Sequence, residues 1–151
     1  MEISRVGVVG LGTMGAGIAQ VCLQAGLEVI GREVAPELGE RARERIDHYL
    51  TRGVEKERLS QDEKDAALGR LTLVTELDDL ASCQLVIEAA FEDLAVKREL
   101  FEALERIAAP DAILATNTSA LSVSEIASAT STPERVVGMH FFNPAPVLPL
   151  V

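Results

Sequence analysis

Tryptophan is absent from this sequence, tyrosine occurs once and phenylalanine four times, so aromatic residues make up only 3%. A core cannot be built around large rings here and has to be filled by small aliphatic side chains. Cysteine occurs twice, at Cys22 and Cys83, with no CxxC pair and no histidine cluster nearby. That excludes a disulfide framework, offers no zinc-ligand spacing, and fits a reducing cytoplasm. No apolar run reaches the ~18 residues a membrane span needs, and the opening residues lack the basic-then-apolar order of an export signal. Positive charge is scarce: 14 Lys and Arg against 24 Asp and Glu leave a formal net charge of −10. Nucleic acid or an anionic membrane would be repelled by the molecule as a whole, so any anionic ligand has to be held locally. A soluble cytoplasmic protein is expected.

What is present suits one globular domain. The 151 residues are 48% hydrophobic and 25% charged, enough for a single core without metals or disulfides. Ile3–Val9 reads as a buried strand, Met14–Ala25 as a small-residue helix closed by Gly26, and Leu27–Arg32 as a second strand. From Val34 to about Arg52 the pattern becomes charged and helical, with Pro36 in its first turn, Gly53 at its end, and pairs such as Glu37 and Arg41 four apart. His48 lies in this run and reads as a surface residue. Ser60 with Glu63 forms a capping box, as does Ser122 with Glu125. Further strands are expected at Leu71–Thr75, Leu85–Ala89, Ala112–Thr116 and Arg135–His140, with another possible start at Val147–Val151, and Asp93 caps a helix that reaches Ala109. Strands alternating with helices predict a doubly wound, mostly parallel α/β sheet covered on both faces, with ligands gathered at the carboxyl ends of its strands.

The residues after each strand therefore carry the functional reading. After the first come Gly10-Leu11-Gly12-Thr13-Met14-Gly15, a GxGxxG pattern. Alone it is weak, but here it follows a strand and opens a helix within a βαβ unit. Gly10 permits the tight turn, Gly12 lets backbone approach a pyrophosphate, and Gly15 lets the helix pack closely with its amino end toward the phosphates. Backbone N–H groups would then meet the phosphate charge, which is how an acidic chain can bind an anionic dinucleotide. Glu33, at the end of the second strand, stands where an acidic residue accepts hydrogen bonds from the adenosine ribose, favouring NAD over NADP. The neighbouring Arg32 is an unusual companion that would soften the preference, and a charged strand-end residue pointing to solvent is the favoured plainer reading.

Four segments carry a more specific signal: "GLGTMGAGIA", "VIEAAFEDLAVKRELF", "ATNTSALSVSEIA" and "GMHFFNPAPVLPLV", in that order. Through them the sequence closely resembles the Rossmann-type NAD-binding domain of the 3-hydroxyacyl-CoA dehydrogenases, including the 3-hydroxybutyryl-CoA type. The resemblance runs over essentially the whole chain. It implies hydride transfer between the 3-hydroxyl carbon of a 3-hydroxyacyl-CoA and NAD, in fatty-acid metabolism and β-oxidation. It also implies that His140 is the base, that Ser119 hydrogen-bonds the substrate's 3-oxygen, and that Asn143 lies near the nicotinamide and orients the reacting groups. Ala90, Glu92, Lys97 and Asn117 match positions beside the cofactor, with Lys97 expected on the nicotinamide ribose and Glu92 expected to help hold the closed form. Each has a plainer reading as well: Ser119 and Asn143 suit turns, and Glu92 and Lys97 suit a helix start. Arg52, Lys56 and Arg58 form a small basic group for the phosphates of an acyl-CoA.

A catalytic histidine needs its ring fixed, commonly by a carboxylate on the other nitrogen. The resemblance implies a glutamate for that role directly after Val151, followed by a helical domain that completes the acyl-CoA cleft and most of a homodimer interface. This sequence is therefore expected to be the N-terminal part of a longer protein, able to bind NAD with little or no turnover by itself. Two alternatives stand beside this reading. A β-hydroxyacid or 6-phosphogluconate dehydrogenase shares a "GLGxMG" opening, although "HFFNP" is foreign to that group, and a non-catalytic nucleotide-binding module needs no later motif.

Overall fold

The computed structural model describes residues 1–151. Six parallel strands form one sheet in the order β3-β2-β1-β4-β5-β6. They are β1 Arg5–Val9, β2 Glu28–Arg32, β3 Leu71–Val74, β4 Leu85–Glu88, β5 Ile113–Thr116 and β6 Val136–Gly138. Between them run α1 Thr13–Gln24, α2 Pro36–Glu55, α3 Gln61–Gly69, α4 Leu94–Ile107 and α5 Val123–Ala127, with 3-10 turns at Asp78–Leu80 and Pro133–Arg135. The chain winds outward from β1 in both directions, so the crevice between β1 and β4 is the topological switch point where doubly wound sheets bind ligands. The expected fold class is the observed one.

Both faces of the sheet are covered. One core packs Val6, Val8 and Val29 of the strands against Ile18 and Leu23 of α1 and against Ile46 and Leu50 of α2. The other packs Val86 and Leu114 against Phe101 and Leu104 of α4 and Ile126 of α5. Small residues make this possible, since α1 buries Gly15, Ala16 and Ala19 and so lies close on the strands. In α2 only Gly39, Ala42, Ile46 and Leu50 are buried, a narrow stripe spaced at three and four, with the charged remainder in solvent.

Several sequence expectations need correction. Val147–Val151 forms no strand, and its Val147, Leu148 and Leu150 are exposed. α2 passes through Gly53 to Glu55, and the chain reverses only at Glu57, a non-glycine residue with φ of 57°. Within α2 the ion pair is Arg43 with Glu40 at 3.8 Å, and Glu37 and Arg41 make none. Ser60 and Glu63 complete both halves of a capping box, whereas Ser122 accepts from the Glu125 N–H without the return bond. Strand ends fall one or two residues inside the expected limits, as in β6, which stops at Gly138 so that His140 belongs to the loop beyond it. His48 is exposed, as its setting predicts.

Candidate functional site

The glycine loop is built by contact. Gly10 has φ of +85°, and a Cβ there would lie 2.9 Å from the carbonyl oxygen of Ala89. A Cβ on Gly15 would lie 1.7 Å from the Gly10 carbonyl oxygen, so α1 can start this close to β1 only without a side chain at that position. Gly12 differs, for a Cβ there meets nothing within 4 Å. It is the N-cap of α1 with no side-chain cap, which leaves the first N–H groups of α1 for a ligand. An open position over an uncapped helix start suits the phosphates of a dinucleotide.

Glu33 leans into this loop. Its Oε1 accepts from the Leu11 N–H at 2.7 Å and its Oε2 from the Val34 N–H at 3.1 Å, so the carboxylate braces the glycine loop and is only half-buried. The solvent-facing reading is thereby replaced, and a half-exposed carboxylate is left at the edge of the crevice. The Arg32 guanidinium donates through Nε to the Thr75 carbonyl at 2.8 Å. That bond ties Arg32 to the end of β3, away from the role of a phosphate ligand.

The loops after β4, β5 and β6 meet over a cavity of about 350 Å³. Met14 borders it from the glycine loop, Ala90, Glu92 and Lys97 from the β4–α4 side, Asn117 and Ser119 from the loop after β5, and His140 and Asn143 from the loop after β6. The Asn117 Oδ1 accepts the Phe141 N–H at 2.9 Å, which fastens the backbone next to His140 to the β5 loop. The His140 ring stacks at a tilt on Phe142, with centroids 4.9 Å apart. Phe141 turns inward and is buried. Its ring anchors the loop while the histidine stays exposed at the cavity.

Lys97 is buried although charged. Its Nζ lies 2.5 Å from Glu88 Oε1 and 3.0 Å from Glu92 Oε1. Partial burial acts to raise the Glu92 pKa, but hydrogen bonds from Thr118 and Lys97, and the charges of Lys97 and His140, outweigh it and hold the carboxyl below its usual range. Glu88 escaped the sequence reading, which took it as interior to a strand. One signal was available: a lone carboxylate in "LVIEA", an otherwise apolar run that must be buried on both faces, requires a buried donor.

The remaining expected residues lie to one side. Leu11 is buried beneath the glycine loop, and Thr13 borders a second cavity of about 110 Å³ with Asn143 and Pro144. Arg52, Lys56 and Arg58 line a third, of about 320 Å³, with Tyr49 and Pro146. The structure thus gathers this basic group beside the proline-rich end of the chain, apart from His140.

The family model for the 3-hydroxyacyl-CoA dehydrogenase NAD binding domain matches residues 5–151. The chain is 53% identical over 150 residues to 3-hydroxybutyryl-CoA dehydrogenase of Mycobacterium tuberculosis strain H37Rv, covering 99% of this chain and 52% of that protein. It is 43% identical over 151 residues to 3-hydroxyadipyl-CoA dehydrogenase of Escherichia coli K12, covering 32% of that protein. The crystal structure of M. tuberculosis FadB2 superposes with a TM-score of 0.96 at 51% identity, covering 99% of this chain and 53% of the other. The chain therefore spans about half the length, or less, of these relatives. With the glycine loop, the parallel sheet and the motif order in agreement, it belongs to the NAD-binding domain family of the 3-hydroxyacyl-CoA dehydrogenases.

Proposed function

We propose that this chain is the cofactor half of an NAD-dependent 3-hydroxyacyl-CoA dehydrogenase, acting in the cytoplasm on 3-hydroxyacyl-CoA and 3-ketoacyl-CoA. The observation that carries the reading is the shared cavity: exposed His140, Ser119 and Asn143 stand on loops from β5 and β6 directly beside the glycine loop. A nicotinamide dinucleotide held by these loops would supply the acceptor for the hydride at the substrate's C3. His140 takes the hydroxyl proton in the same direction and returns it in the reduction, an acid–base task for which imidazole, with one nitrogen able to accept and the other to donate, is the usual side chain. Ser119 and Asn143 donate to the 3-oxygen, where negative charge grows as the ketone is reduced. Glu33 receives the adenosine ribose, and Lys97 the nicotinamide ribose beside Ala90, Glu92 and Asn117. Arg52, Lys56 and Arg58 supply the cations an acyl-CoA requires in an acidic protein.

In this proposal residues 1–151 are one Rossmann domain, and a following helical domain completes the acyl-CoA cleft, the homodimer and a glutamate partner for His140. Two measurements test it. NADH titrated into this chain should raise nicotinamide fluorescence, and absence of binding at millimolar NADH would sink the cofactor assignment. Acetoacetyl-CoA-dependent NADH oxidation should be near background for this chain and strong for the full-length protein. If both are inactive while NADH still binds, a non-catalytic nucleotide-binding module replaces the dehydrogenase.

A further inference from the structure

Glu88 ends β4 near the middle of the sheet and is 0% exposed. A carboxylate removed from water has to be matched by donors, and this one has three. Oε1 accepts from Lys97 Nζ at 2.5 Å and from the Ala90 N–H at 2.6 Å, while Oε2 accepts from the Thr116 hydroxyl at 2.7 Å. The contacts continue. Thr116 Oγ1 accepts the Thr118 N–H at 3.3 Å, the Thr118 hydroxyl donates to Glu92 Oε2 at 2.7 Å, and Glu92 Oε1 receives Lys97 Nζ at 3.0 Å. They form a closed ring that joins the end of β4, the end of β5, the loop that carries Ser119, and the first turn of α4.

The two anions on Lys97 are not equivalent. The Glu92 side chain is 48% exposed at the cavity, where water and salt screen it, whereas Glu88 is sealed beneath. Charges interact most strongly where the local dielectric is low, so Glu88 sets where the ammonium lies. Stability alone accounts poorly for such a pair, because apolar residues of similar volume commonly serve a core as well or better. Lys97, however, borders the ligand cavity while Glu88 does not. A buried pair with one member presented to a cavity is explained by what enters that cavity.

The geometry points to Glu88 as a positioning residue that acts through Lys97, holding its charged amine at the floor of the His140 cavity for the dinucleotide. This rests on the role given above to Lys97. The test uses full-length protein as wild type, Glu88→Gln, Lys97→Met and the double variant. NADH affinity is read by fluorescence, kcat and KM with acetoacetyl-CoA, and folding by thermal melts. Glu88→Gln should weaken NADH binding about tenfold, with KM for acetoacetyl-CoA within about twofold of wild type. Added to Lys97→Met, it should change NADH affinity by less than about twofold, because the group it acts through is already gone. A folded Glu88→Gln protein that binds NADH like wild type overturns the proposal, as does a double variant in which the two losses multiply, or one that only lowers the melting temperature. If Glu88→Gln does not fold, Glu88→Asp keeps the charge, shifts it by one methylene and is held to the same comparison. Failure of the functional reading looks different: wild type itself fails to bind NADH, or Lys97→Met binds it unchanged.

Discussion

Two glycines of the same loop should fail in opposite ways when each gains one methyl group. At Gly15 the new Cβ would sit 1.7 Å from the Gly10 carbonyl oxygen and 2.8 Å from its carbon. That first separation has to double to reach ordinary contact at 3.4 Å, and the obstacle is a backbone carbonyl, not the far end of a flexible side chain. Overpacking of this kind costs about 1–3 kcal/mol, and a backbone obstacle puts Gly15→Ala at the upper end. About 3 kcal/mol corresponds to a fall of roughly 6–12 °C in Tm for a domain of this size. NADH binding falls with it, since the start of α1 is displaced. At Gly12 a Cβ meets nothing within 4 Å, and only a helix-cap preference under about 1 kcal/mol is lost. The methyl group instead occupies the open position over the helix start, so Gly12→Ala should keep a near-native Tm and bind NADH at least about tenfold more weakly. Circular dichroism melts and NADH fluorescence titrations on the same preparations read both. A Gly15→Ala protein melting like wild type would refute the close-packing argument, and a Gly12→Ala protein binding NADH like wild type would refute the phosphate assignment.

Glu105 caps the Ser131-Thr132 turn, and the Thr132 hydroxyl bond followed by the Ser131 N–H brings its pKa down to about 2 from the usual 4.5. A depressed carboxyl contributes stability that is present above pH 4.5 and is lost as pH falls toward 2. Glu105→Gln should therefore lower Tm at pH 7 and flatten its decline in acid, and an unchanged acid limb would count against this. Burial pushes both cysteine thiols up to about 11, with Arg5 drawing Cys83 slightly back. Neither should react with a disulfide reagent at pH 8 until denaturant unfolds the chain, and rapid labelling of the native protein would contradict the buried assignment. Phe101 is 0% exposed in the α4 core, so Phe101→Ala should cost about 3–5 kcal/mol in urea unfolding, and a loss under about 1 kcal/mol would show that this core collapses around the gap.

Much of this protein is legible in its local pattern. The GxGxxG turn, the capping box at Ser60 and Glu63, and the alternation of strands with helices depend on neighbours a few residues apart, where φ preferences and periodicity decide. That was enough for a parallel doubly wound sheet, and hence for looking after each strand, where Gly10, Asn117, Ser119 and His140 are found. Three matters were decided by tertiary contact. Glu33 could point to solvent or inward, and the unsatisfied Leu11 N–H drew it in. The Val147–Val151 run has strand-like residues but joins neither edge of the sheet, and a strand exists only as part of a ladder. Glu88 and Lys97 are nine positions apart and looked respectively like a strand interior and a solvated helix turn. Packing α4 onto β4 sealed both from water. A charge without solvent takes its place from the partners the fold brings within reach, which no local pattern encodes.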